Sequence, residues 1–121
     1  MNFVSVRNST PTLSTDPTTG YSTPLDTRYG SKASFQIISA QTSGSFAVTT
    51  TVWASNKEDP NPDDDSDWVD ISSLCTVPTV AGNSNQMLLI PVAGCTFRKV
   101  RVKVVRTSGD GTVTFFGAAK Q

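Results

Sequence analysis

The amino-acid sequence predicts an all-β fold: an antiparallel β-sandwich or jelly-roll-like domain carrying an extended N-terminal arm. Three observations lead there. From residue 31 onward, apolar residues recur with a period of two. No window carries convincing i, i+3, i+4 apolar spacing, the mark of an amphipathic helix. Ser and Thr number 15 and 17 among 121 residues while only 17% are charged, a balance that favours strands and turns over helices.

The first thirty residues read as the arm and residues 31–121 as the β domain. Phe3-Val4-Ser5-Val6 alternates and suits a short strand. The segment from Asn8 to Gly30 is dominated by Ser, Thr and Pro, and Pro11, Pro17 and Pro24 exclude a helix. Two readings suit this composition: a flexible leader, or an extended arm lying on a neighbouring subunit. In the second reading Leu13, Tyr21, Leu25 and Tyr29 are the anchors.

Within the β domain the elements follow in order. Phe35 and Ile37 alternate with Gln36 and Ile38. Phe46, Val48, Thr50, Val52 and Ala54 line one face of a long strand whose other face holds Ala47, Thr49, Thr51 and Trp53. Trp68-Val69-Asp70-Ile71 is a short strand, and Gln86 to Ile90 is a compact one ended by Pro91. Val100, Val102 and Val104 alternate with Arg101, Lys103 and Val105. Thr112 to Ala118 alternates again. The turn Thr107-Ser108-Gly109-Asp110-Gly111 predicts a hairpin joining Val100–Val105 to Thr112–Phe116. The expected core takes Phe35, Phe46, Val48, Val52, Leu88, Ile90 and Phe115, with the three valines of the late strand.

Several function classes recede on composition. Ten Lys+Arg balance ten Asp+Glu, so a uniformly basic nucleic-acid binder is not expected. The chain holds no His, which removes the commonest general base and metal ligand. Without His, its Ser, Thr and Cys residues lack the usual activating partner, and no catalytic residue is assigned. No Gly-rich phosphate loop is found, and no cofactor is expected. The start Met1 to Arg7 does not read as a signal peptide, and no apolar run nears the ~18 residues of a membrane span. A soluble protein made in a cytoplasm is expected. There Cys75 and Cys95 read as buried thiols, with a disulfide between neighbouring strands as the alternative.

Three groups of residues remain as candidate sites. The segment Asn56–Asp70 holds seven of the ten carboxylates. Asp63, Asp65 and Asp67 imitate the opening of a calcium loop, but Trp68 stands where Gly is needed and Leu74 where Glu is needed. A solvated acidic hairpin tip is therefore the preferred reading. Arg98, Lys99, Arg101, Lys103 and Arg106 place half of the basic residues within nine positions. None of Lys99, Arg101, Lys103 and Val105 is aromatic, so stacking on nucleic-acid bases is not expected. That face is read as solvated, or as an assembly contact through Arg101 and Lys103 with an acidic loop. Trp53 and Trp68 flank the acidic loop. They either cap the core edge or form a platform for stacking on sugar rings.

A resemblance adds to this. The run Phe46 to Asn56 ends a strand in Ser55-Asn56. A loop leads to Trp68-Val69-Asp70-Ile71. A late strand holds Val100-Arg101-Val102, and Gly111-Thr112-Val113-Thr114-Phe115 follows. Over residues 31–121 this pattern resembles small virion proteins of tailed bacteriophages. The long acidic loop and the proline-rich arm depart from it. The resemblance implies a β-sandwich or jelly roll used as a building block of a virion. The expectation is a non-enzymatic capsid decoration (cement) protein. Its implied partners are further copies of itself, as in a trimer, and the major capsid protein, with neither nucleic acid nor membrane. The alternatives are a neck or tail accessory and a carbohydrate-binding module of a fibre or spike.

Overall fold

A computed structural model describes residues 3–15, 17–27, 32–91 and 97–120, with the backbone alone at 3–8 and 120. Its strands are β1 (Phe3–Ser9), β2 (Thr12–Leu13), β3 (Thr19–Tyr21), β4 (Leu25–Asp26), β5 (Lys32–Ser55), β6 (Val69–Asp70), β7 (Val80–Ala81), β8 (Ser84–Ile90) and β9 (Lys99–Lys120). The described residues contain no α-helix, only 3-10 turns at Asp65–Asp67 and Ser72–Leu74. The protein is all-β, and its strands join in one large antiparallel sheet.

Two long strands organise the sheet. β5 and β9 pair from Lys32 opposite Lys120 to Ser55 opposite Lys99. β1, β2, β3 and β4 follow one another along the outer side of β9. β6, β7 and β8 line the outer side of β5. The hairpin predicted between Val100–Val105 and Thr112–Phe116 does not form, because β9 runs unbroken through that turn and both of its parts pair with β5. The Gly-Asp-Gly segment makes a bend instead of a reversal. Register shifts fall between Gln41 and Val48, and irregularities of this kind kink a strand and increase its twist. Gly44 (φ 63°) and Gly109 (φ 61°) meet there across the ladder, both in the left-handed region that favours glycine. A Cβ on Gly44 would stand 3.2 Å from the Gly109 Cα.

The sheet is therefore bent, and its ends approach one another. β1 touches β4. The Ser9 hydroxyl accepts from the Thr23 N–H (3.3 Å) and lies 3.4 Å from the Tyr21 carbonyl. A single apolar cluster draws on both halves of each long strand: Phe35, Ile37, Phe46 and Val52 from β5, and Val100, Val102, Val104, Val113 and Phe115 from β9. Most of these are the residues the period-two pattern predicts, while Val48 is only partly buried at the cluster's margin. Each large side chain buried there contributes roughly 1.5–3 kcal/mol before entropy is counted.

The described part of the N-terminal segment belongs to this sheet. Val113 N–H donates to the Pro11 carbonyl (3.1 Å) and Arg106 N–H to Thr18 (2.7 Å). Ser22 exchanges backbone and side-chain bonds with Val102, each 2.8 Å. Proline lacks a donor and is tolerated in a sheet only at its edge, where Pro11 lies. Leu13 and Leu25 are fully buried in the common core, so both anchors are occupied within their own chain. Tyr29 lies outside the described residues.

Candidate functional site

The two halves of the bent sheet present different outer faces. On the half formed by β3, β6 and the adjoining parts of β5 and β9, Tyr21, Lys103 and Thr51 make one cross-strand row, and Arg101, Trp53 and Asp70 the next. Alternation forces this, since Val100, Val102 and Val104 take the core side. The acidic loop folds over this face. Arg101 is fully buried beneath it. The Arg101 Nη2 donates to Asp65 Oδ1 (2.5 Å), and its Nη1 donates to the Pro62 carbonyl. Lys103 Nζ reaches the other oxygen of Asp65, also at 2.5 Å. Three rings surround the guanidinium, their centroids 4.4 Å (Tyr21), 4.8 Å (Trp68) and 5.6 Å (Trp53) from Cζ. A weakly hydrated cation gains from such ring faces when desolvated. Among the described residues the Arg101 Nε has no acceptor.

The loop is ordered by its own side chains. Asp64 caps the turn Asp65–Asp67 by accepting from the Ser66 N–H (3.0 Å). Asp67 accepts from Lys57 Nζ (2.6 Å) and the Asn61 N–H (2.8 Å). Trp68 donates its indole N–H to the Asn61 carbonyl (2.8 Å) and is only 5% exposed, which leaves no ring face open for stacking on a sugar. Trp53 is half-buried, with its indole N–H on Thr51 Oγ1 (2.8 Å). Asp63, Asp65 and Asp67 do not converge: Asp63 is exposed, while the other two engage different cations. Among the described residues no group of three His, Cys, Asp or Glu is placed to hold a metal ion. Cys75 is half-buried against the core, and Cys95 lies outside the described residues. The acid–base complementarity read between subunits is thus met at Asp65 within the chain.

This arrangement carries a pH dependence. The Lys103 ammonium, then Arg101, hold the Asp65 carboxyl below its ordinary value of 3.8, and Lys57 and the Asn61 N–H do the same for Asp67. A carboxylate depressed in the folded state contributes stability that is complete above its unfolded value and lost as pH falls through its folded value. Stability is therefore expected to be flat from neutrality to about pH 5 and to fall below about pH 4. Tryptophan fluorescence should shift over the same interval as Trp68 is released. Acid titration checks this, and a Trp signal unchanged until global unfolding contradicts it.

The other half of the sheet is uncovered by any described residue. There Leu89, Ser34 and Ala118 form one outer row, Met87, Gln36 and Phe116 the next, and Asn85, Ile38 and Thr114 the third. Met87, Leu89 and Phe116 are 55%, 66% and 42% exposed. A cleft of about 660 Å³ opens beside β8, lined by Leu74, Cys75, Thr76, Met87, Leu89 and Pro91 among others. The sequence reading placed Leu88 and Ile90 in the core but did not single out their exposed neighbours, although strict alternation in Met87-Leu88-Leu89-Ile90 requires two of the four to face outward.

Comparison with known proteins adds no relative: no family model, no curated protein and no solved structure matches the chain.

Proposed function

We propose that this chain is a non-enzymatic structural protein of a bacteriophage virion, a capsid decoration protein that docks through the uncovered apolar face of Met87, Leu89, Phe116 and Ile38. That face is the observation that carries the reading. Apolar side chains clustered on an exposed sheet mark an interaction surface, and the opposite face of this chain shows how thoroughly it covers a surface when the cover is its own. The segregation is physical: the charged, aromatic face is sealed by Asp65, while the rows of Leu89, Met87 and Asn85 carry no charge and Lys32 stands only at their margin, in the cleft beside Leu89.

The finer fold within this reading is a jelly roll. The register supports it. If β5 and β9 are divided at their bends, one layer takes β1, the second half of β9, the first half of β5 and β8. The other takes β3 and β4, the first half of β9, the second half of β5, and β6 and β7. That order is a long antiparallel ribbon rolled into two layers, an arrangement used in viral capsid domains. The phage-like pattern in residues 31–121 points the same way.

The test is the abundance of this protein in purified phage particles relative to the major capsid protein. A fixed, simple fraction of the capsid subunits is expected. A handful of copies moves the protein to the neck, tail or fibre, and absence from particles overturns the reading. A carbohydrate-binding role has less support, because Trp68 is buried beneath Arg101 and the loop.

A further inference from the structure

We infer that β8 is the contact strand of a two-fold homodimer, pairing antiparallel with β8 of a second copy. The inference rests on the decoration reading only for its purpose; its geometry is independent. A sheet edge offers a row of unused N–H and C=O groups, since every second residue of an edge strand points its backbone away from its one neighbour. Proteins blunt such edges with short strands, charges or proline. This chain does so almost everywhere. β2, β3, β4, β6 and β7 are two or three residues long. β1 is seven residues long but includes Arg7. β8 is the exception. It runs for seven residues, Ser84-Asn85-Gln86-Met87-Leu88-Leu89-Ile90, with no charge and no proline inside it. Its one side is taken by β5, and among the described residues no strand pairs with the other.

The chemistry of the edge selects its occupant. The partner must be an extended, uncharged segment that places apolar side chains beside Met87 and Leu89. β8 itself meets each requirement, and every second copy brings it. Two identical strands running antiparallel are related by a two-fold axis, which closes the assembly at two. Centring the axis on Met87 pairs the middle of the strand: Met87 faces its counterpart, and Asn85 faces the partner's Leu89. Side chains that pair across an antiparallel ladder share a face, so the exposed rows of both copies lie on the same side. Met87 and Leu89 of both copies then meet at the centre of one outer face, with Phe116 of each copy beyond Gln36 on either side. The decoration surface is doubled, and the cleft beside Leu74 and Leu89 is brought to the junction.

A charge-swap experiment on the purified full-length chain, free of particles, tests this. Sedimentation across a dilution series should give twice the monomer's 12.9 kDa for the natural chain. Met87 is 55% exposed, so M87K and M87E should fold, with unchanged tryptophan emission. Each alone sets two like charges directly opposite and should sediment as a monomer. Mixed one to one they should return to the dimer, because Lys then faces Glu. A natural chain that stays monomeric or settles as a trimer overturns the inference. So does a dimer indifferent to M87K, or a mixture that fails to recombine. Should either variant misfold, hydrogen exchange in the natural chain decides: dilution should speed exchange at β8 alone, and uniform exchange there overturns the pairing. Because no particle enters this measurement, its failure is separable from a failure of the copy-number test.

Discussion

Asp65→Asn is expected to destabilise the protein by about 2–3 kcal/mol, at the low end of what breaking a buried ion pair costs, because Asp65 itself keeps some contact with water. The loss originates at Arg101, which has none. Its side chain is fully buried, and a guanidinium does not shed its proton at any pH a folded protein meets. With the carboxylate gone, the charge stays under the loop with the Pro62 carbonyl and three ring faces. For a domain of this length the melting temperature should fall by about 10 °C. Arg101→Met is expected to cost less than Asp65→Asn. It removes the buried charge with its partner still held by Lys103, and an apolar chain of similar length refills the space between the rings. The double variant separates the explanations. If the uncompensated cation is the cause, adding Arg101→Met to Asp65→Asn should recover stability. If the two losses simply add, the cost comes from loop packing and the electrostatic account is wrong. Urea unfolding of the four proteins closes the cycle.

The same residues show where the sequence was legible and where it was not. The valines at 100, 102 and 104 identified a strand and its inner face, because alternation is a local property and burial of one face follows from it. Arg101 and Lys103 were assigned to the opposite face for the same reason, and they are there. What alternation does not contain is whether an outer face meets water, another chain or a distant loop. Thirty-six residues separate Asp65 from Arg101, and that contact depends on where the loop lands. The available hint was compositional. Tyr21, Trp53 and Trp68 are three of the few rings outside the core, and all three gather on one cation. The proline-rich arm was opaque for a different reason. An edge strand, a flexible leader and an arm on a neighbour all tolerate proline, and only the burial of Leu13 and Leu25 distinguishes them. The Gly109 turn reads as a hairpin in the sequence because a bend and a reversal ask for the same residues. The discriminating signal lay elsewhere: Gly44 interrupts the other long alternating stretch at a matching place, so the two breaks serve one shared bend.

That shared bend makes Gly109→Ala the second large effect, expected at about 3–4 kcal/mol. Two costs combine. A non-glycine residue at φ 61° carries left-handed strain of about 1–2 kcal/mol. The methyl would also stand 2.5 Å from the Phe46 nitrogen, 2.6 Å from the Ser45 carbonyl carbon and 2.7 Å from the Phe46 Cα. These are backbone atoms of β5, so no rotamer change relieves the overlap, and the paired strands must separate where they turn together. Gly82→Ala is the control. Its φ of 59° is nearly the same, but the nearest atom to its added methyl is Gln41 Oε1 at 4.0 Å. It should cost only the strain, about 1–2 kcal/mol. Gly44→Ala, whose methyl would meet Gly109 Cα at 3.2 Å, should fall between them. Urea midpoints at constant slope give the order. Equal losses at 109 and 82 would mean that the left-handed backbone alone is at stake. A larger loss at 109 locates the constraint in the contact between the long strands, where the half of the sheet covered by its own loop turns into the half whose apolar face lies open.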